Sequence, residues 1–140
     1  MGQPIHELEK FVNQKLKDEW DKADCPILFP LLSADFTGED LYIEPLIEFT
    51  GSTQSEIGKC GLIRMTGILD IKIVSKKGSG KQPINEREDE AITMFQRKAF
   101  IVAITNQVIF QDAIPQPLTE LEDRAHLSVF IPFIYEYPGV

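Results

Sequence analysis

Residues 124–137 constrain the fold more than any other part of this chain. Apolar side chains recur there at every second position, as they do along a β-strand with a buried face. These side chains are Leu127, Val129, Ile131 and Phe133. The intervening positions include His126, Ser128, Phe130 and Ile134. Because two of these are also large and apolar, we expect the middle of the strand to be covered on both faces.

Two earlier stretches alternate in the same way. Residues 41–49 and 62–74 are predicted strands that pair as an antiparallel hairpin. Pro45 has no backbone N–H and therefore favours an edge position. Gly67 interrupts the second strand and predicts a bulge. Residues 50–61 are rich in Gly, Ser and Thr, so we expect a long exposed hairpin tip there.

Two segments have the spacing of amphipathic helices. In residues 4–20, apolar side chains recur every three or four positions, and Pro4 suits a first helical turn. Pro26 requires that helix to end before it. Residues 83–98 repeat the pattern behind Pro83, with an acidic outer face. Two helices are therefore predicted.

The remaining segments complete the fold prediction. Residues 106–113 read as a short strand, residues 114–122 as a loop, and residues 100–105 are apolar but ambiguous in type. The order is helix, two strands, helix, two strands. It indicates one α+β domain over residues 1–140, with a mostly antiparallel sheet of about four strands and two helices packed on one face.

Charge excludes several partners. The chain has 14 basic and 22 acidic residues, a net charge of −8. Specific or non-specific nucleic-acid binding needs clustered Lys and Arg, and anionic membranes repel an acidic protein. The first ten residues lack an apolar signal core, and the longest apolar run, residues 129–134, is short of the roughly 20 residues of a membrane helix. We expect a protein made in the cytoplasm, with no membrane partner.

Candidate catalytic and cofactor sites fail on spacing. Residues 76–81 lie between a strand and a helix, as a phosphate-binding loop would, but Gln82 stands where that loop needs Ser or Thr. The histidines and cysteines (His6, His126, Cys25 and Cys60) lack metal-ligand spacing and a nucleophile motif. We therefore predict no catalytic residue, no metal site and no cofactor, and a protein that is not an enzyme.

Three polar loops exceed what a small monomer needs, and such loops are usually functional or disordered. They are residues 50–61, 76–81 and 114–118. The predicted interface residues, for contacts with other subunits or with a tube, are Ser52, Gln54, Glu56, Lys59, Lys76, Lys77 and Lys81. Plain surface loops are the alternative interpretation.

The chain resembles the tail-terminator proteins of long-tailed bacteriophages over nearly its whole length. The resemblance rests on an amphipathic helix ending at Trp20 and on four short motifs in a shared order. The motifs are PILFP at residues 26–30, YIEP at 42–45, GLIRMTGILDIKI at 61–73 and SVFIPFIYE at 128–136. The charged residues 84–90 and the run 100–105 depart from the family pattern.

That resemblance implies a virion structural protein at the head–tail interface. Such subunits form a hexameric ring that caps the tail tube, stops its polymerisation and offers the head or neck an attachment surface. Implied partners are further copies of the chain, the tail tube protein and a head-completion or neck protein. DNA would pass through the lumen, and a subunit can stay monomeric until it meets its template. A neck connector and a small ligand-binding domain are the alternatives.

Overall fold

The structure is a computed structural model that describes residues 4–20, 25–29, 40–54, 61–76, 81–121 and 123–138. Two helices and seven strands are present in these ranges. In chain order the elements are α1 (Pro4–Glu19), β1 (Leu41–Gln54), β2 (Leu62–Lys76), α2 (Gln82–Phe95), β3 (Ala99–Ala103), β4 (Asn106–Phe110), β5 (Ile114–Pro115), β6 (Thr119–Leu121) and β7 (Arg124–Pro138).

All strands belong to one antiparallel sheet with β7 inside it. The main order is β1-β2-β7-β4-β3. Strand β2 pairs with β7 over the full length of both. On the other side of β7, the short strands β4, β5 and β6 follow one another along it. The strand that the sequence pattern marks most clearly therefore organises the sheet.

One face of this sheet, here called the inner face, lies in the core. Along β7, every second residue from Ala125 to Tyr135 is buried, and β2 contributes Leu69, Ile71 and Ile73. The same core holds the apolar stripes of the helices, including Leu8 and Phe95. Burying this apolar area supplies most of the driving force for folding.

Hydrogen bonds and ring contacts fix α1 against the sheet. The Tyr135 hydroxyl donates to the Pro4 carbonyl at 2.8 Å. The buried Asn106 amide donates to the Tyr135 hydroxyl and to Glu7, at 3.0 and 2.8 Å. Phe11 meets Phe100 of β3, with ring centroids 5.5 Å apart. These contacts place α1 over the β3–β4 side of the inner face.

Helix α2 begins at a proline and ends on an aromatic contact. Pro83 lies in the first turn, where a missing N–H costs nothing. Phe95, at the helix end, packs on Phe110 of β4, with ring centroids 5.1 Å apart. Arg87 lies 6.0 Å from the Trp20 ring centre, so α2 also meets the residue that follows α1.

The fold-class prediction of about four strands with two helices on one face is wrong, because the sheet has seven strands. The ambiguous residues 100–105 contribute β3, and the predicted loop 114–122 contains β5 and β6. Those two strands have two and three residues, which is too short for alternation to show. Their pairing depends on β7, which supplies the partner backbone.

The β1–β2 hairpin is confirmed, but its tip and its glycine are not as expected. Strand β1 runs to Gln54 and β2 starts at Leu62, so residues 50–54 of the predicted tip are strand, and residues 55–60 lie outside the described residues. The register shift lies between Phe49 and Gly51, not at Gly67. A Cβ at Gly67 would lie 2.5 Å from both the Glu48 carbonyl oxygen and the Phe133 ring. Gly67 therefore allows close packing.

Candidate interaction surface

The face of the sheet opposite the helices, here called the outer face, is the candidate functional surface. The register of β1, β2 and β7 sets its side chains in rows. The rows are Tyr42–Val74–His126, Glu44–Lys72–Ser128, Leu46–Asp70–Phe130 and Glu48–Ile68–Pro132. Polar groups dominate the first two rows and apolar groups the last two, so the face has two chemically different parts.

A half-buried carboxylate, Asp70, lies in the third row, at the border between the polar part and the apolar part. Burial raises the pKa of Asp70, the Glu48 and Glu44 carboxylates add to the rise, and the Ser128 hydroxyl and Lys72 oppose it. One of its oxygens, Oδ1, is buried and accepts no hydrogen bond from any residue in the described ranges. A carboxylate in this position is costly to keep charged.

Neighbouring groups on the polar part also have shifted pKa values. Burial lowers the pKa of His126, Lys72 lowers it further, and the acids Glu44 and Asp70 oppose both. The imidazole is therefore largely neutral at pH 7. Burial and Glu44 raise the pKa of the Tyr42 phenol, so it keeps its proton. Neutral side chains at these two positions are less costly to cover with another surface than charged ones.

The polar part has serine, histidine and aspartate near one another, but not in the order of a nucleophilic triad. In a triad the histidine takes the proton of the serine hydroxyl and the carboxylate orients the histidine. Here Ser128 hydrogen-bonds Asp70 directly. In the described part of the chain, no group of three or more His, Cys, Asp or Glu is arranged to hold a metal ion. The arrangement suits a polar contact surface.

The apolar part of the outer face forms a stripe across the sheet. Phe130, Ile68 and Ile134 are only half-buried and do not belong to the core. Leu46 on β1 is 44% exposed, and Ile114 on β5, opposite Phe130 in the register, is 52% exposed. Contiguous exposed apolar side chains on a soluble protein mark surfaces that other proteins cover.

The β3–β4 hairpin extends this apolar surface to the edge of the sheet. Ile101 in β3 is 66% exposed, and Ile104 in the turn after it is 99% exposed. The sequence of β3, AFIVA, contains no charge and no proline. Edge strands in natural proteins usually carry a charged residue or a proline, because these residues discourage pairing with another chain. Strand β3 has neither.

The predicted interface residues that the structure describes form two separate groups. Ser52 is exposed near the end of β1, and Gln54 is the last residue of that strand. Lys76 is exposed at the far end of β2, and Lys81 is exposed just before α2. Glu56, Lys59 and Lys77 lie outside the described residues.

The two predicted groups therefore lie at opposite ends of the β1–β2 hairpin. Strand β2 has 15 residues, so at about 3.3 Å per residue its ends are roughly 45 Å apart. A single partner contact would have to span most of the domain to reach both groups. They can serve two separate contacts.

Sequence reasoning missed the exposed isoleucines. It treated residues 100–105 as ambiguous, gave Ile101 and Ile104 no role, and included Ile114 only as part of the candidate loop 114–118. The sequence does contain a signal for the exposure of Ile104. The apolar run 99–104 ends directly at the polar pair Thr105 and Asn106, and such a polar pair predicts a turn. An apolar residue beside such a turn has little sheet to pack on.

No helix among the described residues has the length and apolar character to cross a membrane.

Comparisons with known proteins inform the fold alone. No family model matches this chain, and no curated protein matches it. Nine chains of solved structures match. One of them has a TM-score of 0.72 at 12% sequence identity, over 97% of this chain and 98% of that chain, and its name carries no function. The architecture therefore exists in a solved protein of similar length.

Proposed function

We propose that this chain is a structural subunit of the tail-terminator type. It assembles into a ring of identical copies, covers the end of a phage tail tube, stops tube growth and presents a surface for the head or neck. This role needs at least two protein-binding surfaces on each subunit and a geometry that repeats between copies.

The observation that carries the proposal is the apolar stripe of the outer face, continued to the sheet edge by Ile101 and Ile104. On an isolated small domain, exposed apolar positions of this kind would favour aggregation. The separate polar groups at the two ends of the β1–β2 hairpin add a second support, because a capping ring meets the tube on one side and the neck on the other.

The test is the length of tails assembled with and without the protein, measured by electron microscopy. Tubes of uncontrolled length in its absence, restored to one length by the wild-type chain, support capping. Tubes of normal length in its absence contradict it. If the chain then binds a portal-side ring, the neck-connector function replaces the proposal.

A matched pair of variants links capping to the outer face. Ile114→Lys adds one charge to the exposed apolar stripe, and Thr93→Lys adds the same charge at an exposed position of α2. We expect Ile114→Lys to fail in restoring tail length and Thr93→Lys to restore it, with both variants folded by circular dichroism. Normal capping by Ile114→Lys would exclude the stripe from the capping contact.

A further inference from the structure

Strand β3 ends the sheet, and within the described part of the chain its outer side has no strand beside it. Its pairing with β4 determines which of its backbone groups are free. The Phe110 amide donates to the Lys98 carbonyl at 2.8 Å, so Lys98 directs its backbone groups towards β4. Antiparallel partners alternate between bonded and non-bonded pairs. Ala99 and Ile101 therefore direct their N–H and C=O groups away from the sheet.

The side chains at these two positions leave the edge open. Ala99 is exposed, and Ile101 is 66% exposed. Both lie on the outer face, because their β4 partners Ile109 and Gln107 continue the outer-face rows. An edge with free backbone groups and neither charge nor proline is a template for another strand.

The free groups end at Ile101. The register with β4 shifts between Ile101 and Ala103, and Ala103 pairs with Asn106. Because Gln107 is in a non-bonded pair, Asn106 directs its backbone groups towards β3, and Ala103 directs its own towards β4. The open edge therefore offers the backbone groups of Ala99 and Ile101, which are placed symmetrically about Phe100.

We propose that β3 pairs antiparallel with β3 of a second copy, with Phe100 of both copies at the two-fold axis. The Ala99 amide then donates to the Ile101 carbonyl of the second copy, whose Ile101 amide donates to the Ala99 carbonyl. Symmetry repeats both bonds. The inference goes beyond the proposed function, because an isologous contact uses the edge of both copies and closes as a pair, not as a ring.

Other pairings leave free groups without partners. A pair centred on Ile101 would place Ala99 opposite Ala103, whose backbone groups face β4. Strand β1 is not available, because residues 26–28 of its own chain already lie along its outer edge and bond to Ile43. A second β3 in the register centred on Phe100 is the partner that matches this edge.

Side chains on both faces fit this register. On the outer face, the small Ala99 lies opposite the exposed Ile101 of the second copy and leaves room for it. On the inner face, Phe100 meets its own copy in a non-bonded pair, where side chains come closest. The Phe100 ring already lies 5.5 Å from that of Phe11 and 6.0 Å from that of Phe110. The pair therefore joins the aromatic clusters of two copies.

Helix α1 leaves space for the second copy. The buried row of α1 includes Leu8 and Val12. Phe11 and Lys15 lie beside that row, and it is these two side chains that reach Phe100, with ring centroids 5.5 Å apart and the Lys15 Nζ 4.5 Å from the ring centre. The flank of α1 therefore faces β3, and the helix axis is set back from the edge.

Charge at the junction also favours a second copy. Two copies that each carry −8 repel one another at long range, but β3 itself carries no acid. In this register the exposed Lys98 comes opposite Val102 of the second copy, next to Ala103. Ala103 pairs with Asn106, whose side chain donates to Glu7 at 2.8 Å. Each Lys98 therefore comes level with the Glu7 carboxylate of the other copy, which offsets part of the repulsion.

Disulfide trapping tests the register in a Cys60→Ser background. Strand β3 has five residues, so the contact is far smaller than the roughly 800 Å² per partner of a standard interface, and concentrated protein is used. Opposite residues of a bonded pair have Cα atoms about 5.5 Å apart, within the range that a disulfide bridges. We expect chains with Ala99→Cys to cross-link to chains with Ile101→Cys. Mass spectrometry of the linked peptides identifies the joined positions.

Each cysteine variant alone is the matched control. Two Ala99→Cys chains, or two Ile101→Cys chains, are out of register by two residues and should cross-link far less. A stronger link between two Ile101→Cys chains would show a pair centred on Ile101 and overturn the register. A mixed yield no higher than both self-linking yields would overturn the pairing and leave this edge to a strand of a different protein.

Ile101→Pro tests the hydrogen bonds themselves. It removes an N–H that faces the second copy and none that faces β4, and edge strands accept proline at such positions. Because symmetry removes the same bond twice, the dissociation constant of the pair should rise about tenfold or more in analytical ultracentrifugation. Ile101→Val should keep the wild-type constant. An unchanged constant in Ile101→Pro with a native far-ultraviolet spectrum would contradict the backbone pairing.

Lys98→Glu tests the charge contact without changing β3. It brings an acid level with Glu7 of the second copy and should weaken the pair roughly threefold or more, with a larger effect at low salt. Lys10→Glu makes the same charge change at an exposed position of α1 and should weaken the pair less. Equal weakening by both variants would show that net charge alone matters, and would contradict the position proposed for Lys98.

Discussion

The inner and outer faces of β7 come from the same 15 residues. On the inner face, Val129, Ile131 and Phe133 are buried among side chains from both helices and the other strands. On the outer face, Phe130 and Ile134 are only half-buried and lie beside polar residues such as Ser128. The difference separates two tasks: the inner residues stabilise the domain, and the outer residues are available to a partner.

The largest effect should come from Phe133, at the centre of the inner aromatic cluster. Its ring lies 5.7 Å from that of Phe49 and 5.9 Å from that of Phe110. Phe133→Ala should lower the free energy of unfolding by about 3–5 kcal/mol, from lost burial and the cavity left behind. Phe130→Ala is the matched control, and we expect it to cost less than half as much in urea titrations. Equal losses would mean that the outer face is also core.

The second-largest loss of stability should come from a side chain added at Gly67, on the inner face. Gly67→Ala places a Cβ against the Glu48 carbonyl and the Phe133 ring, and such overpacking costs about 1–3 kcal/mol. Gly51→Ala, on the outer face of the same hairpin, meets only the Thr66 hydroxyl at 3.4 Å. We expect little change there. The midpoints of thermal unfolding of the two variants test this comparison. A lower midpoint for Gly51→Ala than for Gly67→Ala would contradict it.

A smaller effect should come from a cross-strand ion pair on the outer face. Arg64 of β2 lies opposite Glu136 of β7, and their side chains meet at 3.0 Å. Exposed pairs of this kind contribute about 0.2–1 kcal/mol. A double-mutant cycle with Arg64→Ala and Glu136→Ala should give a coupling in that range, weaker at high salt. A coupling above 2 kcal/mol would show a buried pair.

The smallest effect is a gain in stability rather than a loss, and it depends on pH. Because burial raises the folded-state pKa of Asp70, the folded chain holds this proton more tightly than the unfolded chain. Stability from this group is therefore present at low pH and falls as pH rises through the unfolded and then the folded pKa. Asp70→Asn should slightly raise the midpoint of thermal unfolding at pH 7 and flatten its pH dependence above the ordinary pKa of an aspartate, 3.8. A lower midpoint at pH 7 would mean that the charged carboxylate stabilises the fold.

The sequence predicts the helices and the long strands well, because each repeats its pattern over many residues. The predicted helices 4–20 and 83–98 correspond to α1 and α2, although α2 ends earlier, at Phe95. The alternation of β7 is also confirmed. The cover expected on both faces is complete on the inner face and partial on the outer face, where Phe130 and Ile134 are half-buried.

The missed elements depend on distant partners. Strands β5 and β6 exist because β7 offers them its backbone, and no pattern within two or three residues shows that. The site was harder still to predict. Polar loops suggested contacts at Ser52 and Lys76, whereas the exposed apolar positions at Ile101 and Ile114 depend on which face of the sheet the helices cover. Tertiary packing determines which face of the sheet the helices cover.

Strand β7 is also the last of the seven strands to leave the ribosome, yet it sits inside the sheet. Until it emerges, β2 and β4 each lack one of their neighbours, and β5 and β6 lack the strand they pair with. Tyr135 can bond to the Pro4 carbonyl of α1 only after β7 has been synthesised. Synthesis order therefore delays completion of the outer face until β7 has emerged.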